Sequence, residues 1–577
     1  MPVVPAACRM KKLAIHVGPP ASDRVDAMLA RQDVSGHISS RRDLSVGSIG
    51  CLGDWTLPTQ GNMCFFTGAP INGPDIGELT DARAAARLFP EWDGAFVGIF
   101  WDADSEILVV ATDCLGMQPL YMRHTGKELT LVSETKALDA SPDPAAWGAF
   151  ISIGHPIGER SLVEGLQRVP PASILTYDCA RRELRIHRYW SWPAPSDAWR
   201  NYDFVGSLEQ EIRAYADFGD PGTLLLSGGW DSRLILFLLI RAGVPADALI
   251  VAHEDEHADE DGRLAAAIAT YADMPFRKAR PSADFYSSPA YLDYLIASDA
   301  GYPSLDLFIA KVASLITSST VWEGLAPGFV FMPLRQSEGG FDAYLKQEIK
   351  SGDSAIWRAA KTLFKADVVE AMFNGFSEDL QGEMARLPRD SHGLARFVIE
   401  NRSRNRPAMN PLKVFANKAN VFTPGLSKDF MTHAATIPFQ EKQHGRFYRS
   451  LFERLDKKAL KIPVLSGAEL MKGSRFSAIY HCERMRLKYH TYRRLYPSLF
   501  PGTRKSSAKR SAFLGSHLFE EDDQWLNPDA SKHLQTVNRN NYLAWRLLFH
   551  WKAWQWVHEG RLQPMLGAHA QNGDNSG

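Results

Sequence analysis

The feature that most constrains this 577-residue chain lies at residues 224–233, where three leucines run directly into Ser-Gly-Gly-Trp-Asp-Ser-Arg. A second apolar run follows at residues 234–240 and is stopped by Gly243 and Pro245. This order predicts a buried strand, a tight glycine turn and a helix that begins at the turn. Such a turn points backbone N–H groups and the positive end of a helix at one spot, which favours an anion.

The residues of the turn suit a phosphate group and a cation. Gly228 and Gly229 allow a close approach of the backbone, and Ser227 and Ser232 supply hydroxyl groups. Asp231 is a candidate ligand for Mg²⁺. The pattern differs from the Walker phosphate loop, because no Gly-Lys-Ser/Thr follows the glycines. The alternative interpretation is an ordinary turn that uses small residues for steric reasons.

Residues 227–232 resemble the pyrophosphate loop, Ser-Gly-Gly-x-Asp-Ser, of the ATP pyrophosphatase enzymes, which split ATP between its α and β phosphates. Every fixed position of that phrase is matched. The resemblance implies that the chain uses ATP and Mg²⁺. It makes Leu226 and the loop residues nucleotide-binding, and it makes Asp231 a catalytic residue and the metal ligand.

Length and composition set further bounds. A chain of 577 residues is too long for one core, so two domains are expected. The net charge of −1 gives no reason to expect nucleic acid or an acidic membrane as partner. The six cysteines form no Cys-x-x-Cys pair, which argues against a zinc site or a disulfide framework. With no apolar run near the ~20 residues that span a bilayer, a soluble cytoplasmic protein is expected.

From residue 12 to about residue 192 the pattern is strand-like. Residues 95–101, 107–111 and 129–132 are predicted strands, and residues 80–88 are the one clear helical interval, with Thr80 as candidate N-cap. This predicts a layered α+β domain at residues 1–195. Residues 188–196 are the predicted linker, with aromatic side chains expected to be exposed.

Residues 200–577 form the second predicted domain. A helix at 207–215, the strand before Ser227, a strand at 249–253 and a helix at 264–271 predict an α/β domain with a doubly wound parallel sheet. Val251 and His253 are candidates to line an adenine pocket, and the alternative is a core valine with a satisfied histidine. The acidic run at 254–261 is either functional or solvated. Residues 402–438 are predicted to be helical with a break at Pro424, and the tryptophan-rich helix at 542–557 to pack on the core.

Two phrases in the first half resemble the amidotransferase half of asparagine synthetases. They are Asp-Gly-Ala-Phe at 93–96 and Asp-Cys-Leu-Gly-Met-Gln-Pro-Leu-Tyr at 113–121, although Thr112 stands where the family has arginine. The glutaminase of that family needs a cysteine directly after the initiator methionine, because its free α-amine is the base for its own thiol. Residue 2 is Pro2 and the nearest cysteine is Cys8. We therefore expect a degenerate Ntn-type domain that releases no ammonia from glutamine, unless proteolysis exposes Cys8.

Residues 321–328 resemble the next family phrase, E/T-G-x-G-x-D, which adds Gly324 to the nucleotide-binding residues. In the family the final Asp is the second magnesium carboxylate, whereas Gly328 or the preceding proline stands in its place here. Asp231 is then expected to share the metal with phosphates, water or another carboxylate. Residues 461–476 resemble the segment that carries the catalytic lysine, with Lys472 as first candidate and Arg475 as second. A solvated loop lysine is the alternative.

The resemblance to the asparagine synthetase superfamily spans nearly the whole chain. It implies an ATP pyrophosphatase (adenine nucleotide α-hydrolase-like) domain with a helical extension. Members without the glutaminase cysteine use an amine carried by the substrate, and they include β-lactam synthetases, carbapenam synthetases and lasso peptide cyclases. For the β-lactam chemistry, Tyr302 or Tyr448 is a candidate base.

The altered metal phrase and the basic region at 481–510 resemble the lasso peptide cyclases more closely. This resemblance implies a leader-cleaved precursor peptide as substrate, whose Asp or Glu side chain is adenylated and closed onto the N-terminal amine. It also implies a transglutaminase-like leader peptidase and a leader-binding protein as partners. Another amide ligase, or a degenerate scaffold that binds nucleotide or peptide, remains the alternative.

Overall fold

The computed structural model describes most of the chain, and every structural statement below concerns its described part. The described residues are 9–10, 12–18, 22–32, 39–44, 46–52, 61–73, 75–139, 141–216, 221–252, 259–280, 285, 288–301, 307–331, 341–342, 344, 352–464, 523–530, 534 and 542–562.

Two six-stranded sheets form the N-terminal part, with a hydrophobic core between them. The paired strands are antiparallel, except for one short parallel pair at the edge of the first sheet. The first sheet has the order Arg9–Met10, Met63–Ile71, Asp93–Asp102, Ile107–Thr112, Ser173–Asp178 and Glu183–Arg188. The second has the order Gln167–Arg168, Tyr121–His124, Leu129–Val132, Lys12–Val17, Gly47–Leu52 and Ser39–Leu44.

The strand Asp93–Asp102 is apolar at nearly every position because both of its faces are buried. Val97 and Ile99 face the core between the two sheets. Phe96 and Phe100 belong to a separate cluster beneath the helix Ala82–Leu88. Because side chains alternate across a strand, a strand covered on both faces has no polar alternation. The predicted strands at 95–101, 107–111 and 129–132 are confirmed.

The helices of this part differ from the prediction in two ways. The N-cap of the helix Ala82–Leu88 is Asp81, whose carboxylate accepts the Ala84 N–H at 2.8 Å, so the prediction of Thr80 is wrong. Two further helices are present, Ser22–Gln32 and Pro144–Ile153. The second was missed because it is apolar on all sides and buried on nearly all, so it lacks an amphipathic period.

Residues 189–197 contain no helix or strand and connect the two parts of the chain. The expectation that their aromatic side chains are exposed is wrong, because Tyr189, Trp190 and Trp192 are half-buried. The indole N–H of Trp190 donates to Thr432 Oγ1 at 2.9 Å. The connection is therefore packed against the C-terminal part.

A five-stranded parallel sheet is the centre of the C-terminal part. Its order is Phe276–Ala279, Ala246–Val251, Gly222–Leu226, Thr320–Trp322 and Asn420–Phe422. The strand order reverses at Gly222–Leu226, as expected of a doubly wound sheet. Residues 420–422 were predicted to be helical, and this was wrong: they are an edge strand held by main-chain pairing with Thr320–Trp322, which the side-chain pattern does not reveal.

Helices and a few π-helical turns surround this sheet, and no described helix is long and apolar enough to cross a membrane. The prediction that the last helix packs on the core is confirmed, since Trp545, Trp551 and Trp554 are buried. The basic region at 481–510 lies outside the described residues. The helices are Phe204–Ala216, Trp230–Ala242, Glu260–Tyr271, Pro289–Ala297, Leu307–Leu315, Leu325–Phe331, Ala355–Leu363, Ala366–Ala385, Ser391–Phe397, Lys428–Ala435, Phe439–Lys442, Arg446–Leu455 and Tyr542–His558, and the π-helical turns are Val398–Ser403 and Asn410–Val414.

The two parts of the chain are joined by a buried network of charges around Asp299. Lys136 of the N-terminal part donates to Asp299 at 3.0 Å, and Lys413 pairs with the same carboxylate. Both the N–H and the hydroxyl of Thr135 donate to Asp299 at 2.8 Å. Burial alone would raise the pKa of Asp299, but the two lysines outweigh it and hold that pKa well below its usual range.

We predict that Asp299→Ala lowers the free energy of unfolding by about 3–5 kcal/mol, because it leaves the buried ammonium group of Lys413 without its ion-pair partner, while Lys136 keeps Glu134. The lowered pKa means that the contribution of Asp299 is present above pH 4 and is lost as the pH falls below the unfolded pKa, near 3.8. Thermal unfolding followed by circular dichroism measures both effects. Asp139→Ala, at a surface pair with Arg31, is the control and should change little; equal melting temperatures for the two variants would contradict the prediction.

Candidate active site

The strand Gly222–Leu226 leads through residues 227–229 into the helix Trp230–Ala242, as predicted. Residues 227–229 are called the glycine loop below. Gly229 is the N-cap of the helix and makes no side-chain capping bond. The loop is held by Ser227 and by Ser232 of the following helix, since the Ser227 N–H donates to Ser232 Oγ at 3.0 Å and the Gly229 N–H donates to Ser227 Oγ at 3.3 Å. The first turn of the helix is thus left without a capping side chain, which suits an anion.

A carboxylate of the chain itself accepts a hydrogen bond from the glycine loop. The Gly228 N–H donates to Asp261 Oδ1 at 2.7 Å, and burial raises the pKa of Asp261. Asp259 is 1% exposed and caps the helix Glu260–Tyr271 by accepting the Gly262 N–H at 3.1 Å. The solvated interpretation of the acidic run is therefore wrong for these two residues. The Asp261 contact shows directly that the loop presents its N–H groups to a negative charge.

Asp231 lies in the first turn of the helix with its carboxylate enclosed. The Tyr448 hydroxyl donates to Asp231 Oδ1, and the Tyr448 ring stacks on Trp230 with centroids 5.7 Å apart. Burial raises the pKa of Asp231 to about 6, and the hydrogen bond from Tyr448 offsets part of that rise. Tyr448, a candidate base in the sequence, thus orients the carboxylate that the sequence assigns to the metal.

Glu323 is the second carboxylate of the site, and sequence reasoning missed it. It follows the strand Thr320–Trp322, beside the glycine loop, and its N–H donates to Phe422 O at 3.0 Å. Burial, and then the charge of Asp231, raise the pKa of Glu323 to about 7. Its Oε2 is buried and has no hydrogen-bond partner among the described residues. The sequence signal that could have found Glu323 is its position at the carboxyl end of a predicted strand, directly before Gly324, where parallel sheets bind ligands.

Two glycines let these segments approach each other. A Cβ on Gly324 would lie 2.7 Å from the backbone carbon of Asp231 and 2.8 Å from Ser232 N. A Cβ on Gly328 would lie 2.7 Å from Asp231 Oδ2. A side chain at position 328 thus has no room unless Asp231 moves. The second carboxylate beside Asp231 in the described residues is therefore that of Glu323, at the start of this turn.

The two carboxylates fit a magnesium ion held jointly with phosphate oxygens. Mg²⁺ prefers oxygen ligands and usually keeps several waters, with one or two protein carboxylates. In the described part of the chain, no group of three or more His, Cys, Asp or Glu side chains is placed to hold a metal. The unpartnered Oε2 of Glu323 beside Asp231 therefore suits a cation that the nucleotide helps to bind.

The other predicted site residues are placed less completely. Leu226 ends its strand and is 2% exposed, and Ser232 is buried beside the loop. Val251 ends the neighbouring strand. Through Arg233, which donates to the carbonyl oxygens of Ile462 at 2.9 Å and Pro463 at 2.8 Å, the helix Trp230–Ala242 contacts residues 462–463. These two residues belong to the segment 461–476 that was predicted to carry the catalytic lysine. The side chain of Val251 lies outside the described residues, as do His253, Tyr302, Lys472 and Arg475.

The described cysteines do not suit a nucleophile. Cys51, Cys64, Cys114 and Cys179 are buried, and the Cys114 thiol donates to Leu426 O at 3.5 Å. Burial raises the pKa of Cys114 well above its usual value and that of Cys179 to about 12. Reactive thiols need the opposite shift. Cys8 lies outside the described residues.

Comparisons with known proteins agree with this architecture. The family model of a glutamine amidotransferase domain matches residues 82–190. Asparagine synthetase (glutamine-hydrolyzing) 3 of Bacillus subtilis is 26% identical over 182 residues, which cover 28% of this chain and 29% of that protein. Carboxyethyl-arginine beta-lactam-synthase of Streptomyces clavuligerus is 27% identical over 184 residues, which cover 29% of this chain and 34% of that protein.

Among solved structures, the glutamine phosphoribosylpyrophosphate amidotransferase of B. subtilis matches with 9% identity and a TM-score of 0.22. The match covers 46% of this chain and 65% of that one, and the similarity is too weak to bear on fold or function. The fold combines an amidotransferase-like layered domain with a parallel-sheet domain. These similarities support a place for the chain in the asparagine synthetase superfamily. The matched segments span 29% and 34% of the length of the two curated relatives.

We predict that Asp231→Asn stabilises the protein at pH 7.5 when no nucleotide is bound. Folding raises the pKa of Asp231 from 3.8 to about 6, so ionisation costs stability as the pH rises through that interval, and the full cost remains above it. Asparagine removes this cost, worth up to about 3 kcal/mol. Differential scanning fluorimetry should show a higher melting temperature at pH 7.5 and no difference near pH 4. Glu453→Gln, at an exposed site, is the control and should have the melting temperature of the wild type. A lower melting temperature for Asp231→Asn at pH 7.5 would refute the raised pKa of Asp231.

We also predict that Gly324→Ala disrupts the site. The added Cβ overlaps the backbone of Asp231, which costs about 1–3 kcal/mol and displaces the carboxylate. Gly382→Ala is the matched control, because a Cβ there meets nothing within 4 Å in the helix Ala366–Ala385. It should raise stability by about 0.5–1 kcal/mol. Urea unfolding of both variants compares them, and similar midpoints would contradict the close contact at Gly324.

Proposed function

We propose that the protein is an ATP-dependent amide ligase that releases AMP and pyrophosphate. One observation carries the proposal: the glycine loop, Asp231 and Glu323 converge at the carboxyl edge of a parallel sheet, where such sheets bind ligands. The similarity to an asparagine synthetase and to carboxyethyl-arginine beta-lactam-synthase supports the same chemistry.

In this proposal the chain holds ATP by its phosphates. The N–H groups of the glycine loop and of the first helical turn bind pyrophosphate oxygens, with the Asp261 carboxylate withdrawing from Gly228. Asp231 and Glu323 hold Mg²⁺, which neutralises phosphate charge when bound. Tyr448 keeps the Asp231 carboxylate in position through its hydroxyl. Burial makes ionisation of both acids costly and raises their pKa values, and a bound cation would offset that cost.

The proposed reaction has two steps. A substrate carboxylate oxygen attacks the α-phosphorus of ATP, the bond to the bridging oxygen breaks, and pyrophosphate leaves. A substrate amine then attacks the acyl carbon, AMP leaves with the oxygen of the former carboxylate, and the amine loses a proton. Negative charge builds at the α-phosphate and at the tetrahedral carbon, which requires a nearby cation. Lys472, or else Arg475, is proposed to supply it.

The amine is proposed to come from the substrate and not from glutamine. The described cysteines are buried, and burial raises the pKa of the Cys114 and Cys179 thiols, which keeps them protonated. In this view the N-terminal sandwich serves as a packed support for the ligase domain. The Asp299 network, which joins Lys136 to Lys413, supports such a role.

For the substrate, we propose a leader-cleaved precursor peptide that is closed into a macrolactam, as in lasso peptide cyclases. An Asp or Glu side chain would be adenylated, and the peptide's own α-amine would close the ring. That amine has an ordinary pKa of about 7.7–8.0, so it needs little activation near neutral pH. The proposed partners are a transglutaminase-like leader peptidase and a leader-binding protein.

A second candidate is ring closure within a small molecule. The similarity to carboxyethyl-arginine beta-lactam-synthase favours it. Both candidates share the adenylation step and differ in the size of the carboxylate substrate. The substrate panel of the following experiment separates them.

ATP–pyrophosphate exchange with Mg²⁺ tests the proposal. We expect exchange with leader-cleaved peptides that bear an internal Asp or Glu, and a loss of at least about 100-fold in Asp231→Ala, Glu323→Gln and Lys472→Ala. Glu453→Gln, an exposed control of the same chemistry, should retain full exchange. Glutamine should not be converted to glutamate in any sample.

The outcomes of this experiment distinguish the peptide cyclase, the small-molecule ligase and a nucleotide-binding scaffold. Exchange with peptides only supports the cyclase, and exchange with small carboxylates only supports the second candidate. Retained ATP binding without exchange on any carboxylate would refute the ligase and leave a nucleotide-binding scaffold. Full exchange in Glu323→Gln would refute the role given to the second carboxylate.

A further inference from the structure

The three N–H groups of the glycine loop all have acceptors within the chain. The Ser227 N–H donates to Ser232 Oγ at 3.0 Å, and the Gly229 N–H donates to Ser227 Oγ at 3.3 Å. These two acceptors are neutral hydroxyl groups. The third acceptor, for the Gly228 N–H, is the carboxylate of Asp261 at 2.7 Å. The loop is therefore already bound to one anionic group, and that group belongs to another helix.

Asp261 lies directly on Gly228. A Cβ on Gly228 would be 3.0 Å from Asp261 Oδ1 and 3.0 Å from the Cβ of Leu264, so the helix Glu260–Tyr271 packs closely on the loop. A backbone amide carries a single hydrogen and donates one hydrogen bond. The Gly228 N–H therefore cannot serve Asp261 and a phosphate oxygen equally well, and a phosphate that uses this N–H has to displace the carboxylate.

The N-terminus of the helix Glu260–Tyr271 is capped by Asp259 and not by Asp261. Asp259 accepts the Gly262 N–H at 3.1 Å and lies 3.5 Å from Arg280 Nη2. Asp261 is half-buried, and no lysine or arginine of the described chain pairs with it. Its negative charge is thus offset by the glycine loop and by solvent. A carboxylate in this position can leave the loop without uncapping its own helix.

An internal anion lowers the apparent affinity of the loop for any external one. A site binds its ligand more weakly in proportion to the fraction of molecules in which the site is free. Hydrogen bonds to a charged acceptor are roughly twice as strong as those between neutral groups. Asp261 is therefore a stronger internal competitor than the two serine hydroxyls, and its charge also repels a phosphate.

From this geometry we propose that Asp261 competes with pyrophosphate for the Gly228 N–H and so weakens the binding of pyrophosphate to the loop. The ligand class is a diphosphate, either free pyrophosphate or the β and γ phosphates of a nucleotide. In the ligase, this competition promotes the release of pyrophosphate after the substrate has been adenylated. That role deepens the proposed function and rests on it, whereas the competition itself is testable without turnover.

Isothermal titration calorimetry of the full chain with inorganic pyrophosphate and Mg²⁺ tests the competition. We expect Asp261→Asn to lower the Kd about 10-fold, because the amide keeps the shape of the side chain and loses its charge. Asp261→Glu, which keeps the charge, should bind no more tightly than the wild type. Asp259→Asn is the matched control, because it removes the same charge two residues away, where Arg280 already offsets it. Its Kd should stay close to that of the wild type.

A measurement on the unmodified chain checks the displacement of Asp261 directly. Carbodiimide coupling of carboxylates to glycine ethyl ester, read by peptide mass spectrometry, reports the accessibility of each acid. We expect saturating pyrophosphate to increase the labelling of Asp261 several-fold and to leave that of Asp259 unchanged. This result does not depend on the folding of any variant.

The outcomes separate the competition from the ligase itself. Weaker or equal binding of pyrophosphate to a folded Asp261→Asn protein would overturn the proposal, because Asp261 would then shape the loop for its ligand or play no part. Unchanged labelling of Asp261 in saturating pyrophosphate, or no binding of pyrophosphate to any of the proteins, would overturn it as well. Tighter binding to Asp261→Asn without ATP–pyrophosphate exchange on any carboxylate would uphold the competition and refute the ligase. Exchange together with an unchanged Kd in Asp261→Asn would do the reverse.

Discussion

The site depends on a close contact between residues 324–328 and the first turn of the helix Trp230–Ala242. The contact is possible because positions 324 and 328 are glycines and place no side chain between the two segments. Gly324 and Gly328 lie against the first turn of the helix Trp230–Ala242, so Asp231 and Glu323 come to face the same space. Burial removes hydration from both carboxylates and raises both pKa values, and the charge of Asp231 raises the pKa of Glu323 further. A cation relieves both costs at once. The parallel sheet, the stacked pair Trp230 and Tyr448 and the glycine loop all hold this arrangement in place.

The N-terminal sandwich is coupled to this site through buried polar contacts and not through a shared catalytic group. Asp299 binds Lys136 across the interface. Arg168 donates to the carbonyl oxygens of Gly116 and Arg404, while Arg404 donates to Val169 O at 2.8 Å. Buried charges of this kind are costly to break, so the two parts behave as one packed body in the described residues. The amidotransferase-like domain therefore has a structural role in holding the C-terminal part, whatever its own chemistry.

The sequence by itself determined the strand, the glycine loop and the helix at residues 222–242, because local periodicity and glycine chemistry act over a few residues. It also indicated the antiparallel strands of the first half and the buried tryptophan-rich helix. Tertiary structure decided what depends on distant partners: the edge strand Asn420–Phe422 exists by pairing with Thr320–Trp322. Glu323 lies beside Asp231 because the glycines let two segments touch, and Asp261 reaches Gly228 from another helix. Contacts between residues far apart in the chain leave no periodic pattern, so only the folded chain shows them.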